Sequence, residues 1–527
     1  MTRPFPQLLV LSLICIIALL SSRSPVSAAI GVYNFTAGAT SGTLPISIDY
    51  RLNCPGEVTI EIRDNDDHPV NTLGPFTETA GLHSHEWDGA GAPNGTGTYR
   101  ARITATHSDT GTPGVLNRLC GGTSTASIYG LAVDRFPDSP GYGTIYVSQV
   151  GARGTLRAYN ADGSPKDWLA GNRDGNALNL GFNTAPQSSP WGIGVDRLGN
   201  IYVACSTGIV NSGVKVFDHL GNELHHVFDT QPQGIFWLDG LAGPQGLEVY
   251  EALSDYVRAC IVGDTTWHTA IGPISSTTVR QICFDPSGAA CYLATSGSSS
   301  DPQRPNPGVT RYARQPGGEW AEDASFDCGL SGIVSGSMSA AYYATGVSCT
   351  ATSLWMGLNC GNLQFGGNGN IARKLLPNGQ TTLFIGPGLT KARFVAADSV
   401  GNVAVDGGYN STDLWSNWAL YAPAGETTSD TRLTNWVSIA GAAQRKVVNR
   451  IRDMKQEPPD SPVQLSSGRC VTAVFADCFY IEEDDRSSGV RVKCATPVSE
   501  GSYVKVGGTM SSEQGERYLA DAEIIAP

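Results

Sequence analysis

Short runs in which apolar residues fall at every second position recur along the whole chain. Near the start, Leu44-Pro45-Ile46-Ser47-Ile48 and Val58-Thr59-Ile60-Glu61-Ile62 both alternate in this way. A period of two marks a half-buried strand, because successive side chains point to opposite faces. Turn formers separate the runs, as in Asn53-Cys54-Pro55-Gly56 and Asp64-Asn65-Asp66-Asp67. Further strands are expected at His85-Glu86-Trp87 and from Gly97 to Ile103. Residues 30–110 therefore read as an Ig-like β-sandwich.

A different rhythm occupies residues 120–440. Trp191 opens the fullest copy of a degenerate repeat, WGIGVDRLGNIYVA: an apolar strand, a turn and a second apolar strand. Other copies begin at Gly130 (GLAVDRFPDSPGYGTIYVS), Gln281 (QICFDPSGAACYLAT) and Arg393 (RFVAADSVGNVAVDG). Weaker copies begin at Gly246 (GLEVYEALSDYVRACIVGD) and Ala340 (AAYYATGVSCTATSLWMG). Several lead into a third strand, such as TLRAYNADG from Thr155 and VKVFDHLGN from Val214. Gly in the Asp-x-x-Gly-Asn turn takes positive φ while Asp or Asn bonds the local backbone. Six such copies predict a six-bladed β-propeller, with small residues on the innermost strands where the blades converge.

A Pro-rich lead-in, Glu457-Pro458-Pro459-Asp460-Ser461-Pro462, precedes the last segment, residues 445–527. Five short alternating strands follow, which suits a small barrel. The whole reads as an all-β chain of three modules.

Three resemblances refine this. The runs VTIEIRDNDDHPVNTL and AGLHSHEWDGAGAPNGTGTYRARITA resemble the FlgD-like immunoglobulin domain, except that His68 stands near the usual turn Gly. That resemblance implies a module without catalytic residues. The propeller repeat looks like the NHL or SMP-like superfamily. The pattern VTAVFADCFYIEEDDRSSGVRV from Val471 resembles OB-fold domains found on exported bacterial proteins.

Composition supports the strand-and-turn reading. The 63 Gly and 30 Pro exceed average usage and exclude a helical bundle, and no strict Gly period suggests collagen. Formal charge is −13. From Arg445 onward there are 11 basic and 13 acidic side chains, so no segment carries the basic field that nucleic-acid binding needs. Phe475, Phe479, Tyr480 and Arg491 nonetheless have the chemistry of a single-strand-binding barrel. The acidic run Glu482 to Asp485 favours a structural or protein-binding barrel instead.

Residues 1–29 read as a secretory signal peptide: Arg3, an apolar stretch from Leu8 to Leu20, then Val26-Ser27-Ala28. The mature protein is expected outside the cytoplasm, secreted or periplasmic, without membrane insertion. Of the 13 Cys, 12 lie beyond that leader, and an even number in an exported chain permits disulfides. Cys283–Cys291 and Cys478–Cys494 are the candidate pairs, each across a hairpin. Cys54 and Cys120 are a third option. Cys205, Cys260 and Cys360 end equivalent strands and read as small buried residues.

The motifs of zinc proteases, nucleophile elbows and phosphate-binding loops are absent. His83 and His85 point to one face of a strand, where they either bind a metal or pack beside Trp87. His225 and His226 face opposite sides. Asp134, Asp196, Asp285 and Asp398 read as turn residues. Trp168, Trp191, Trp237 and Trp267 lie in or near long inserts, where they either line a propeller mouth or plug gaps between blades. Trp415 and Trp418 pose the same choice. The function expected is a noncatalytic binding or scaffold protein whose propeller mouth takes an extracellular glycan or protein. The alternative is a propeller enzyme, a lactonase or a polysaccharide lyase or hydrolase. No cofactor is implied beyond an optional divalent cation in the propeller channel, and oligomeric state is not encoded in any recognisable pattern.

Overall fold

The computed structural model describes residues 30–526, apart from 39–43, 92–96, 124–126, 150–153, 182–189, 206–212, 229–236, 298–307, 331–343, 359–369, 408–416, 440–445 and some isolated positions. The expected leader lies outside the described residues. Among them, no helix is long and apolar enough to cross a membrane.

Six antiparallel sheets form a propeller. Their innermost strands are Ile128–Val133, Pro190–Val195, Trp237–Gly243, Thr277–Phe284, Ala344–Cys349 and Ala392–Ala397. Each packs on the next, and the last packs on the first, so the ring closes. Blades 2 to 5 are four-stranded meanders in sequence order. Blade 1 adds a short outer pair, Arg173–Asp174 and Ala177–Asn179. Blade 6 takes its outermost strand, Leu116–Thr123, from the chain before blade 1. In blade 3 the sequence copy beginning at Gly246 is the second strand, not the first. The inner turn there has Gly243 opposite Gly246 and no Asp to mark it.

The sandwich pairs two sheets. One is Val32–Gly38, Ile46–Leu52 and Gly81–Trp87; the other contains Pro69–Glu78, Gly56–Arg63 and Gly97–Ser108. Its second sheet is completed from beyond the propeller. Thr427–Leu433 and Val437–Ile439, which fall within the 120–440 segment expected to be propeller, instead both pair with Gly97–Ser108. The inward positions of Thr427–Leu433 include Thr428 and Asp430, so no apolar alternation marks this strand. Those polar groups are used: Thr428 Oγ1 accepts the Ile30 amide at 3.2 Å, and Asp430 Oδ2 accepts the Val32 amide at 2.9 Å.

Residues 446–526 form a barrel with its own core, including Val471, Phe479, Ile481, Val490, Val504 and Leu519. Arg469–Val474, Phe479–Glu482 and Gly489–Val492 make a meander. The third strand runs parallel to Glu516–Ala526, which pairs with Tyr503–Glu513, which returns to the first.

The sandwich meets the propeller on the face that carries the inner hairpin turns. In blade 2 that turn is organised by Asp196. Its Oδ1 accepts the amides of Leu198 and Asn200, and its Oδ2 accepts Asn200 Nδ2 at 2.9 Å and the Tyr202 hydroxyl at 2.8 Å. Blade 6 repeats the arrangement at Asp398 and Asn402. Six residues after Asp398, however, stands Ala404, where blade 2 has Tyr202 six after Asp196. The phenol comes instead from the sandwich: Tyr33 donates to Asp398 Oδ2 at 2.8 Å. Tyr33 is buried against Tyr142 and Ala161 of blade 1. Gly143, at φ +78°, lies so close that a Cβ there would fall 2.1 Å from the Tyr33 ring. Arg51 pairs with Asp162, and Arg432 reaches the Tyr142 hydroxyl, on the same seam.

Removing the Tyr33 hydroxyl leaves a buried carboxylate short of one donor. Tyr33→Phe is expected to destabilise the sandwich–propeller unit by about 1.5–3 kcal/mol, read from urea denaturation followed by intrinsic fluorescence. An unchanged midpoint would contradict the role given to this bond.

Candidate functional site

The propeller axis is the first place to look for a site, because side chains from all six blades converge there. Among the described residues it holds little space. The cavity is about 30 Å³, lined from blade 1 to blade 6 by Arg135, Ile193, Asp239, Gln281, Ser348 and Val395 among others. That leaves room for about one water.

Most polar groups described at the axis join blades, while the buried Arg135 Nε has no hydrogen-bond partner. Arg135 of blade 1 donates from Nη2 to the Phe284 carbonyl of blade 4 at 2.6 Å. Gln281 accepts the Val347 amide at 2.9 Å and donates to the Val395 carbonyl at 3.0 Å, linking blades 4, 5 and 6. Ser348 Oγ accepts the Ala397 amide at 2.9 Å. Asp239 accepts the amides of Gly240 at 2.9 Å and Phe284 at 3.2 Å. Burial pushes the Asp239 carboxyl up to about 6, against the lowering effect of Arg135. A divalent cation here would share the channel with the Arg135 guanidinium.

A larger space lies where the sandwich overhangs blade 1. This cleft measures about 950 Å³ and is lined by Asn34, Phe35, Arg102, Tyr142, Arg432 and Asn435, among others. Its arginines are paired: Arg432 with Asp430 at 3.0 Å, Arg63 with Glu61 at 3.0 Å and Arg102 with Glu61 at 3.6 Å. Sequence reasoning missed it, because its walls come from five separate stretches of chain.

The residues named from sequence do not converge. Trp168 is buried, stacks on Tyr146 and donates from Nε1 to the Asn176 carbonyl at 2.9 Å, so it plugs blade 1. Trp267 lies half-buried under the Arg258 guanidinium on the outer part of blade 3. Trp191 and Trp237 sit on the inner strands of blades 2 and 3, with side chains outside the described set. Trp418 is buried against Tyr159, and Trp415 lies outside the described residues.

The four repeated aspartates serve turns. Asp134 accepts Ser139 Oγ at 2.5 Å, and Asp285 accepts Ser287 Oγ at 2.5 Å and the Ala290 amide at 2.8 Å. His225 is exposed and His226 half-buried, as their opposite facing requires. His83 and His85 flank Glu78, at 3.4 Å and 2.6 Å, with Tyr50 donating to the same carboxylate at 2.6 Å. His85 also stacks on Phe76 at 3.9 Å, so the pair closes the sandwich edge. In the turn at Asp64, Oδ1 accepts the amides of Asp66 and His68.

Neither candidate disulfide is formed; Cys283, Cys291, Cys478 and Cys494 are all free thiols, as are Cys54 and Cys120. Register is the reason. Cys283 pairs with Tyr292 and Phe284 with Cys291, so the two thiols face opposite sides of the sheet. The second hairpin pairs Phe479 with Val492, which puts Cys478 in line with Lys493 and one step out of register with Cys494. Cys260 is buried as expected.

In the barrel, Phe479 is core, whereas Phe475 is exposed and meets Tyr480 edge-on at 5.9 Å. Arg491 is held by Glu513 at 2.9 Å and Glu516 at 3.5 Å, and Lys493 by Glu513 at 3.2 Å.

No family model and no curated protein matches the chain. Among solved structures, it is similar to a protein of unknown function from Bacteroides thetaiotaomicron, at 10% identity and TM-score 0.35 over 76% of this chain and 99% of that one. It is also similar to the β-propeller domain of Myceliophteria thermophila Cps50 (Swd1), at 10% identity and TM-score 0.35 over 58% of this chain and 98% of that one. A third is the Niastella koreensis GH74 enzyme, at 11% identity and TM-score 0.34 over 80% of this chain and 68% of that one. The architecture is all-β and built on a propeller; its details rest on strand order and pairing.

The raised Asp239 carboxyl fixes a sign. Between the unfolded value near 4 and the folded value of about 6, the folded state holds more protons, so its stability falls as pH rises through that window. Asp239→Asn removes this loss while sacrificing one amide acceptor. The variant is expected to be less stable than wild type at pH 4 and to close the gap by up to about 3 kcal/mol by pH 7, measured by denaturation across pH. A gap that widens with pH would contradict this.

Proposed function

We propose that the chain is a secreted or envelope-associated, noncatalytic binding or scaffold protein that holds an extracellular glycan or protein on its propeller. The observation that carries this reading is the use of the axial polar groups: Arg135, Asp239, Gln281 and Ser348 each make a hydrogen bond to another blade. The sandwich packs on the hairpin-turn face, over blades 5, 6 and 1. In this reading the ligand takes the opposite face. One observation favours an enzyme instead: a carboxyl raised to about 6 beside an arginine is suited to general acid–base work.

In this reading, residues 1–29 direct export and are removed. The modules are a FlgD-like immunoglobulin domain, an NHL or SMP-like propeller and an OB-fold-like barrel. Support for the last is the barrel's strand path, a meander closed through a parallel pair.

An array of purified glycans and extracellular proteins, probed with the full mature chain, tests the main claim. Retention of one ligand class, unaffected by EDTA and with the ligand recovered unchanged, is expected. EDTA-sensitive turnover of a lactone or polysaccharide, or no retained ligand at all, would overturn it.

The barrel gives a separate expectation. With Arg491 and Lys493 held by Glu513 and Glu516, single-stranded DNA is expected to show no binding at about 0.15 M salt. Glu513→Gln with Glu516→Gln frees those cations and is expected to raise low-salt affinity. Salt-resistant binding by the wild-type chain would contradict a structural or protein-binding barrel.

A further inference from the structure

The innermost strands of blades 4 and 5 bring two thiols together beside the axis. Cys283 is the penultimate residue of Thr277–Phe284, and Cys349 ends Ala344–Cys349. Their sulfurs are 3.7 Å apart, although the residues are separated by 66 positions in sequence. Both side chains are buried, in an apolar cluster with Tyr292, Val347, Leu354 and Met356. Cys291, the hairpin neighbour, belongs to a different cluster on the other face.

We propose that Cys283 and Cys349 become a disulfide when the chain folds in an oxidising compartment, stapling blades 4 and 5 at the rim of the channel. The sulfurs have to close from 3.7 Å to about 2.05 Å. This is a movement of side chains, because the two strands already pack against each other. The staple also ties together blades whose connection in sequence is long, with 21 residues between the strands Trp320–Glu322 and Ala344–Cys349.

The chemistry is thiol–disulfide exchange with the disulfide of an exported thiol oxidoreductase or of a small disulfide such as oxidised glutathione. One protein thiolate attacks the carrier disulfide and releases one carrier thiol; the second displaces the other carrier sulfur. One S–S bond breaks and one forms. The carrier's two sulfurs accept the two electrons and leave as thiols with the two protons. Burial pushes the Cys283 thiol well above its ordinary value, so the exchange belongs to the folding chain, before blade 5 closes over it.

The bond alters one contact at the axis. Cys349 Sγ donates to the Phe284 carbonyl at 3.0 Å, and Arg135 donates to the same oxygen. Oxidation removes the thiol donor and leaves that carbonyl to Arg135.

The test uses the full chain secreted into an oxidising medium, denatured with a maleimide present, and digested with and without reductant. A reducible peptide joining Cys283 to Cys349 is expected, with Cys291 carrying maleimide. The same cross-link is expected in Cys291→Ser. Reductant is expected to lower the melting temperature of the wild-type chain but not of the Cys283→Ala, Cys349→Ala double variant. Maleimide on both Cys283 and Cys349, or a cross-link from Cys283 to Cys291, would overturn the proposal. Mapping the wild-type chain needs no variant to fold, and it does not depend on what the propeller binds.

Discussion

The buried carboxylate that turns a blade's inner hairpin is the interaction on which the rest depends. A carboxylate out of water is tolerated only when its oxygens are used. Asp196 meets that demand within its own blade, through Asn200, Tyr202 and backbone amides. Asp398 cannot, because Ala404 stands where a tyrosine would be. Its last donor is Tyr33, 365 residues away on the first strand of the sandwich. Burial still pushes Asp398 up to about 6, a sign of how far the group is from solvent. The sandwich is thus a component of the sixth blade as well as its neighbour.

The chain path enforces the same union. Blade 6 is closed by Leu116–Thr123, which precedes the propeller, and the sandwich is completed by Thr427–Leu433, which follows it. The sandwich contains strands from both sides of the propeller, and the propeller ring is closed by the strand that leaves the sandwich. Opening the ring therefore disturbs the sandwich sheet, and undocking the sandwich exposes the Asp398 turn. The barrel differs: its core is drawn from Val448 and residues after it, which is the organisation expected of a separately folding unit.

What could be read from sequence follows from what each strand buries. Blades 1, 2, 4, 5 and 6 were legible because their inner strands are apolar and their turns are marked, four of them by Asp. Blade 3 was read one strand late, since its inner turn lacks that mark. The strand Thr427–Leu433 was invisible, because it buries Thr428 and Asp430 to serve amides from the first strand. Disulfide pairing failed on register, where one residue decides which face a thiol takes. The tryptophans divided as packing predicts: Trp168 and Trp418 are sealed in the core, where composition alone could not separate a plug from a ligand platform. The cleft between sandwich and propeller was out of reach, since only the fold brings Asn34, Arg102, Tyr142 and Asn435 together.

These constraints give the proposed binding role a physical basis: blades joined across the axis, and a sandwich fixed on one face of the ring. The claim beneath it is that Tyr33 and Asp398 act as a pair. A double-mutant cycle of Tyr33→Phe and Asp398→Asn, read as unfolding free energy, measures that directly. A coupling of about 1–3 kcal/mol between the two sites is expected. Additive effects, with coupling below about 0.5 kcal/mol, would contradict it.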